Sequence, residues 1–360
     1  MKNGYYDLTN LLNTNARWLV LYGMRANGKS YACKSHALED AYKGIGTFVY
    51  LRRWSEDIKQ KEVGTYFLDA PVSKITKGEY DGVYAWQGYF YFCNYDDEGK
   101  PVKSSAPIGR YCSLNQAERY KSQVFKDVEN IIFEEFITDK IYLGTNVNPE
   151  PKILMQFVST VARDRDVRVF LIGNTISRVC PYFEYFGLKG IMQQKPGTID
   201  IYHLRGENGV VDIAVENCEV IVTKSKMFFG LASKQITSGE WDVNEVPKLL
   251  KPYEFYDMLY EIRVVFSDFK YILQLLMDSE SGGTFVYIYP DTKGSRKILR
   301  TVTNEFHVSP YVTNGLLGKI PAEQLIADAF RKGKVCYSDN LTGTDFRNVL
   351  QQYDFKGVII

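Results

Sequence analysis

The sequence predicts an α/β fold: a first domain built on a central parallel sheet, a linker region, and a smaller β-rich α+β domain. Three observations carry that expectation. A glycine-containing loop, Gly23-Met24-Arg25-Ala26-Asn27-Gly28-Lys29-Ser30, stands between an apolar strand-like run and a helix-like run. Short apolar runs that end in polar residues recur through the first half, as buried parallel strands do. From Tyr260 onward the texture turns to apolar, aromatic-rich stretches punctuated by turn residues.

Each element follows from its own pattern. Residues 1–17 lead into a first strand at 18–22, the loop, a helix at 31–38 and a second strand at 46–51, which together read as a βαβ unit. Residues 75–112 alternate apolar and polar side chains around a turn at 96–99, the mark of a β-hairpin insertion. Further core strands are expected at 130–133 and 167–172, with a helix around 153–161 between them. The stretch 197–260 is less regular: a strand-like piece at 199–204, polar residues at 233–240, then Pro247 and Pro252 as linker punctuation. Strands at 262–266, 271–277 and 284–289 follow, with Gly282-Gly283 as a hairpin turn. Helical periodicity returns at 321–331 and 345–353. The expected domains are 1–200, a linker region 201–258, and 259–360.

The 360 residues suffice for two domains. Hydrophobic residues at 45% and charged residues at 24% suit a globular core. A net charge of +1 means that any nucleic-acid contact must come from a local patch. Six scattered cysteines without a C-x-x-C pair, and only three histidines, argue against zinc and against a disulfide framework, and suit a reducing cytoplasm. No apolar run is long enough to cross a bilayer, so no membrane role is expected.

The loop fits G-x-x-x-x-G-K-S/T, a phosphate cradle. Its backbone N–H groups and the following helix N-terminus favour an anion, and its glycines let the chain approach without a Cβ in the way. Gly23, Arg25, Ala26, Asn27, Gly28, Lys29, Ser30 and Tyr31 are therefore the expected ATP-binding residues. Lys29 reaches the outer phosphates and Ser30 holds Mg²⁺. Hydrolysis also needs an acid near the metal and a residue that orients the attacking water. Glu134 and Glu135 end the third core strand, at the sheet edge where open α/β sheets bind ligands. Glu134 is assigned to Mg²⁺ through water and Glu135 to the water, although a Glu at the first position, where Asp is usual, weakens that division of roles.

Arg163, and after it Arg165, are candidates for stabilising charge on the γ-phosphoryl group of a neighbouring subunit. The same run of arginines and aspartates reads nearly as well as a surface ion-pair network. Asn174 is either a γ-phosphate sensor or a turn residue. If a nucleic-acid backbone is contacted at all, the candidate cations are Arg53, Lys59, Lys61, Lys121 and Lys126, each of which alone reads better as a solvated charge.

The phosphate loop, then Tyr50-Leu51-Arg52-Arg53-Trp54, then I-I-F-E-E-F, A-R-D-R-D-V-R and G-N-T-I-S-R-V-C-P-Y-F resemble, in order, the DNA-packaging ATPases (encapsidation proteins) of phi29-type tailed phages. The match runs over about residues 16–190, and weakly beyond. The resemblance implies an ASCE-type ATPase, with an extra strand between the phosphate-loop strand and the acidic strand. It implies a homomeric ring, a pentamer, in the host-cell cytoplasm, transiently docked on the portal of a procapsid and driving double-stranded DNA inward. It leaves open whether a packaging RNA mediates docking.

An arginine matching Arg163 would act across the subunit interface. The C-terminal domain would resemble an RNase H-type nuclease without its catalytic acids. Asp268, Asp278, Glu280, Asp291 and Asp345 are the carboxylates available there, and no Asp lies clearly in the middle of the domain's first strand. A binding module without nuclease activity is therefore expected. The alternatives are a cellular-type DNA translocase or helicase, a nucleotide-gated scaffold, and a large-terminase-like ATPase with an active nuclease.

Overall fold

The computed structural model describes residues 6–352, apart from 139–140, 146–147, 176, 192, 207–208, 219–244, 267–268, 293–300, 304–311 and 315–320. The chain divides into two compact units. Among the described residues no helix is long and apolar enough to cross a membrane.

The first unit is built on β1 (Trp18–Gly23), whose residues are buried throughout because it is flanked on both sides by parallel partners. Helix α1 (Lys29–Tyr42) follows the loop and buries Cys33, Ala37 and Leu38. Strand β2 (Thr47–Arg52) leads to an insertion holding β3 (Gly82–Trp86), β4 (Tyr89–Tyr95), β5 (Pro101–Lys103) and β6 (Gly109–Ser113). Then come β7 (Val128–Glu134), α2 (Glu150–Ala162), β8 (Arg168–Asn174), β9 (Thr198–Gly206) and β10 (Gly209–Asn217). The sheet order is β3-β4-β6-β2-β7-β8-β1-β10-β9, with β5 on β4. Strand β8 thus lies between the phosphate-loop strand β1 and the acidic strand β7.

Two features depart from the sequence expectation. The insertion turns at Gln87-Gly88, both at positive φ, as well as at 96–99, and it sends β6 back as a parallel neighbour of β2. The boundary expected at residue 200 falls inside β9, and the region expected as linker takes in the rest of β9 and all of β10, a parallel partner of β1. The polar stretch 233–240 lies outside the described residues.

The second unit carries a sheet of β11 (Tyr256–Phe266), β12 (Phe269–Asp278), β13 (Thr284–Pro290), β14 (Thr301–Thr303), β15 (Val312–Asn314) and β16 (Val335–Tyr337), in the order β15-β14-β11-β12-β13-β16. Helices α3 (Pro321–Arg331) and α4 (Asn340–Gln352) complete it. Ile262, Leu273, Leu275, Val286, Ile288, Ile326 and Phe346 form its core.

The second unit's carboxylates make separate contacts. Asp345 is buried and accepts hydrogen bonds from the Arg178 guanidinium and backbone N–H and from Ser177. Asp291 pairs with Arg263, and Asp278 and Glu280 pair with Lys251. Asp268 lies outside the described residues.

Candidate functional site

The cradle forms where β1 ends and α1 begins. Ala26 at φ 60° and Gly28 at φ 95° take left-handed backbone, which turns the loop sharply enough for its N–H groups to converge. The backbone carbonyl of Asn27 accepts from the Tyr6 N–H at 3.0 Å, so the lead-in segment braces the loop. Arg25 and Ala26 are exposed, Gly28, Ser30 and Tyr31 half-buried, and Gly23, Asn27 and Lys29 buried.

Lys29 points its ammonium into a cage of oxygens: Met24 O at 2.6 Å, Asn27 Oδ1 at 3.1 Å, Gly23 O at 3.2 Å and Asn174 Oδ1 at 3.5 Å. Burial lowers its pKa to about 8. Asn27 is 2% exposed, and its Nδ2 has no hydrogen-bond partner among the described residues. A buried donor without an acceptor is costly, and an anion in the cradle would supply one.

The acidic pair faces the cradle. Strand β7 delivers Glu134 to the carboxyl edge, where its carboxylate accepts a hydrogen bond from the Tyr66 hydroxyl at 3.2 Å and has the Ser30 hydroxyl as a neighbour. Burial pushes the Glu134 carboxyl up, against the lowering influence of Ser30, Arg52, Tyr66 and Lys34. A hydroxyl beside a carboxylate is the hard-oxygen donor set that suits Mg²⁺.

Glu135 is exposed and takes φ 59°, and its carboxylate pairs with the Arg52 guanidinium at 2.8 Å. Strand β8 aligns Asn174 with Gly23, and the Thr175 N–H donates to Gly23 O at 3.1 Å. Asn174 therefore stands beside Lys29, its Oδ1 3.5 Å from the ammonium.

Arg53 departs from the expectation of a DNA contact. It is only 5% exposed. Its guanidinium grips Glu150 at the start of α2 through three bonds of 2.8–3.1 Å. It also donates to the carbonyls of Glu135 at 2.9 Å and Phe136 at 3.0 Å. It is a fastener behind the acidic pair. Arg165 is likewise tied to backbone carbonyls, those of Phe125, Val161 and Val128.

Arg163 is exposed and donates to Gln123 O at 3.2 Å. It lies between α2 and β8, on the amino edge of the parallel strands, away from its own cradle. Lys59 and Lys61 leave the carboxyl edge after β2, whereas Lys121 and Lys126 precede β7 at the amino edge, and Lys121 pairs with Glu118. All four are exposed, but the two pairs do not form one patch.

Arg52, Tyr66 and Lys34 were not singled out by sequence reasoning. Arg52 carried the weak signal of ending a strand beside the acidic one. Tyr66 carried none, since only the fold brings the segment after β2 against β7.

A phosphate-cradle loop, a hydroxyl and a carboxylate side by side across from it, and a strand inserted between their two parent strands make an α/β architecture that resembles the ASCE-type P-loop ATPases. The model of the Podovirus DNA encapsidation protein (Gp16) family matches residues 1–231. The chain belongs to that family. It is 29% identical over 249 residues to a "DNA packaging protein" of Bacillus phage B103, covering 61% of this chain and 72% of that protein. To the "DNA packaging protein" of Bacillus phage phi29 it is 26% identical over 276 residues, covering 68% and 77%. A solved structure described as "The bacteriophage Phi-29 viral genome packaging motor assembly" superposes with a TM-score of 0.53 at 20% identity, covering 99% of each chain.

Proposed function

We propose that this chain is the ATP-hydrolysing subunit of a motor that moves double-stranded viral DNA into a procapsid. The observation that carries this reading is that the cradle caging Lys29 and the acidic end of β7 open at the same carboxyl edge of the sheet, one strand apart, with Glu134 a neighbour of Ser30. Family membership supplies the DNA-packaging role.

In this reading Lys29 leaves its carbonyl cage for the outer phosphates, and Asn27 Nδ2 gains its acceptor. Ser30 and Glu134 would hold Mg²⁺, which when bound neutralises phosphate charge. Glu135 orients the attacking water, and Asn174 reports the γ-phosphate. Arg163 reaches the phosphoryl group from a neighbouring copy, because its own cradle lies at the other end of β8. A ring of such copies, pentameric as in the family resemblance, would dock at the portal, with or without an RNA between them. Lys59 and Lys61 stand at the catalytic edge and are the better candidates for touching DNA phosphates. The second unit would act as a binding module, since Asp278, Asp291 and Asp345 are each held in an ion pair.

The test is ATP hydrolysis with and without double-stranded DNA. Lys29→Ala and Glu135→Gln should each abolish turnover, and the wild type should be stimulated by duplex DNA. Undiminished hydrolysis by Lys29→Ala would refute the site.

A further inference from the structure

Outside the residues already assigned, one side chain touches the acidic pair from a segment foreign to the parallel core. Tyr66 lies between the helical turns Gln60–Val63 and Val72–Ile75, in the chain that connects β2 to β3. Its hydroxyl donates to Glu134 Oε1 at 3.2 Å. Its ring stacks on Tyr50 of β2 with centroids 4.0 Å apart and meets Phe67 edge-on at 4.8 Å. From α1, the Lys34 ammonium stands 4.9 Å from the ring centre. The same ammonium donates to Tyr66 O at 2.8 Å and pairs with Asp69. Lys34 lies four residues after Ser30, on the same face of α1. Glu134, a neighbour of Ser30, is therefore held by Tyr66, Tyr66 is held by Lys34, and Lys34 stands one helical turn from Ser30.

We infer that Tyr66 is a positioning residue for the metal site, fixing the Glu134 carboxylate in the orientation in which it and Ser30 hold Mg²⁺ with the nucleotide. A free carboxylate beside a hydroxyl can turn about its last torsion and present either oxygen. Here one oxygen is engaged by a phenol that is itself stacked and tethered, so the orientation is set before nucleotide arrives. The cost of ordering the carboxylate then falls on folding and not on binding. The inference rests on the reading that Ser30 and Glu134 are the metal-holding pair.

The experiment measures binding of a non-hydrolysable ATP analogue by the full chain, over a series of Mg²⁺ concentrations and in EDTA. The proteins are the wild type, Tyr66→Phe, Glu134→Gln and the double variant. Phenylalanine keeps the stacking and removes only the hydroxyl. Tyr66→Phe should raise the Mg²⁺ concentration needed for half-maximal binding by about tenfold, the scale of one hydrogen bond to a charged group. It should leave affinity in EDTA unchanged, and it should add nothing in the Glu134→Gln background. A wild-type Mg²⁺ requirement in Tyr66→Phe overturns the inference. So does an equal loss of affinity in EDTA, which would make the residue merely structural, or an effect that persists without the Glu134 carboxylate. If the wild type itself binds the analogue without regard to Mg²⁺ and Glu134→Gln changes nothing, the metal-site reading fails first and the role of Tyr66 falls with it.

Discussion

Lys29 has a consequence that a proton count can read. Burial holds its pKa near 8 while the cradle offers only carbonyl and amide oxygens. A phosphate beside it favours the charged amine and raises that value. The bound state therefore holds more protons than the empty one wherever the solution pH lies above about 8, so binding takes up a proton there and weakens as pH rises further. At about pH 8.5 calorimetric titration in buffers of different ionisation enthalpy should report uptake, and at pH 7 that uptake should shrink towards zero. Arg53 makes a prediction of the opposite kind, about folding. It neutralises a buried Glu150 and satisfies two carbonyls, so Arg53→Ala should cost about 3–5 kcal/mol in urea unfolding. Arg53→Lys should also destabilise, because one ammonium cannot serve acceptors spread around a planar fork. The cradle was legible from its spacing, and Glu134 and Glu135 could be singled out only beside it, because two acids at a strand end say little by themselves. The fate of Arg53 was not: a cation after a strand looks the same on paper whether it meets water or Glu150, a residue 97 positions away.

At the scale of elements, the strands easiest to read were those buried on both faces. β1, β2, β7 and β8 are runs of Leu, Val, Ile, Phe and Tyr whose ends the sequence located to within a residue or two. β10 was missed because it follows β9 in one antiparallel pair and its other partner, β1, is remote in sequence. Alternation within the insertion showed strands but could not say that β6 would join the main sheet beside β2. Gly109 is what permits that union. It pairs with Phe48, whose ring would lie 2.5 Å from any Cβ placed there, while Phe67 and Phe90 pack on the same ring. Gly109→Ala should therefore cost about 1–3 kcal/mol by overpacking, measurable as a lowered urea midpoint with an unchanged slope. A neutral outcome would mean that β6 is not held against Phe48 in solution.

For the whole molecule, the decisive point is that the first unit's sheet places the candidate residues at two opposite edges. The cradle, Glu134 and Glu135 open from the carboxyl ends of β1 and β7, and Arg163 precedes the amino end of β8. A strand of that length separates them by about 20 Å, beyond the reach of an arginine side chain. If Arg163 serves hydrolysis, it serves the site of the next copy, and copies joined carboxyl edge to amino edge make a heterologous contact, the kind that gives a ring when its rotation closes. Mixing two inactive proteins tests this directly. Lys29→Ala lacks a working cradle but retains its arginine, and Arg163→Ala retains the cradle but lacks the donor. In randomly mixed equimolar rings, about one site in four pairs an intact cradle with an intact donor, so the mixture should recover about a quarter of wild-type ATP hydrolysis. Each protein alone should stay near background. If mixing recovers nothing while both variants still assemble, Arg163 does not complete a neighbour's site. If Arg163→Ala alone hydrolyses ATP at the wild-type rate, the arginine belongs to the ion-pair network that its Asp-rich surroundings also suggest.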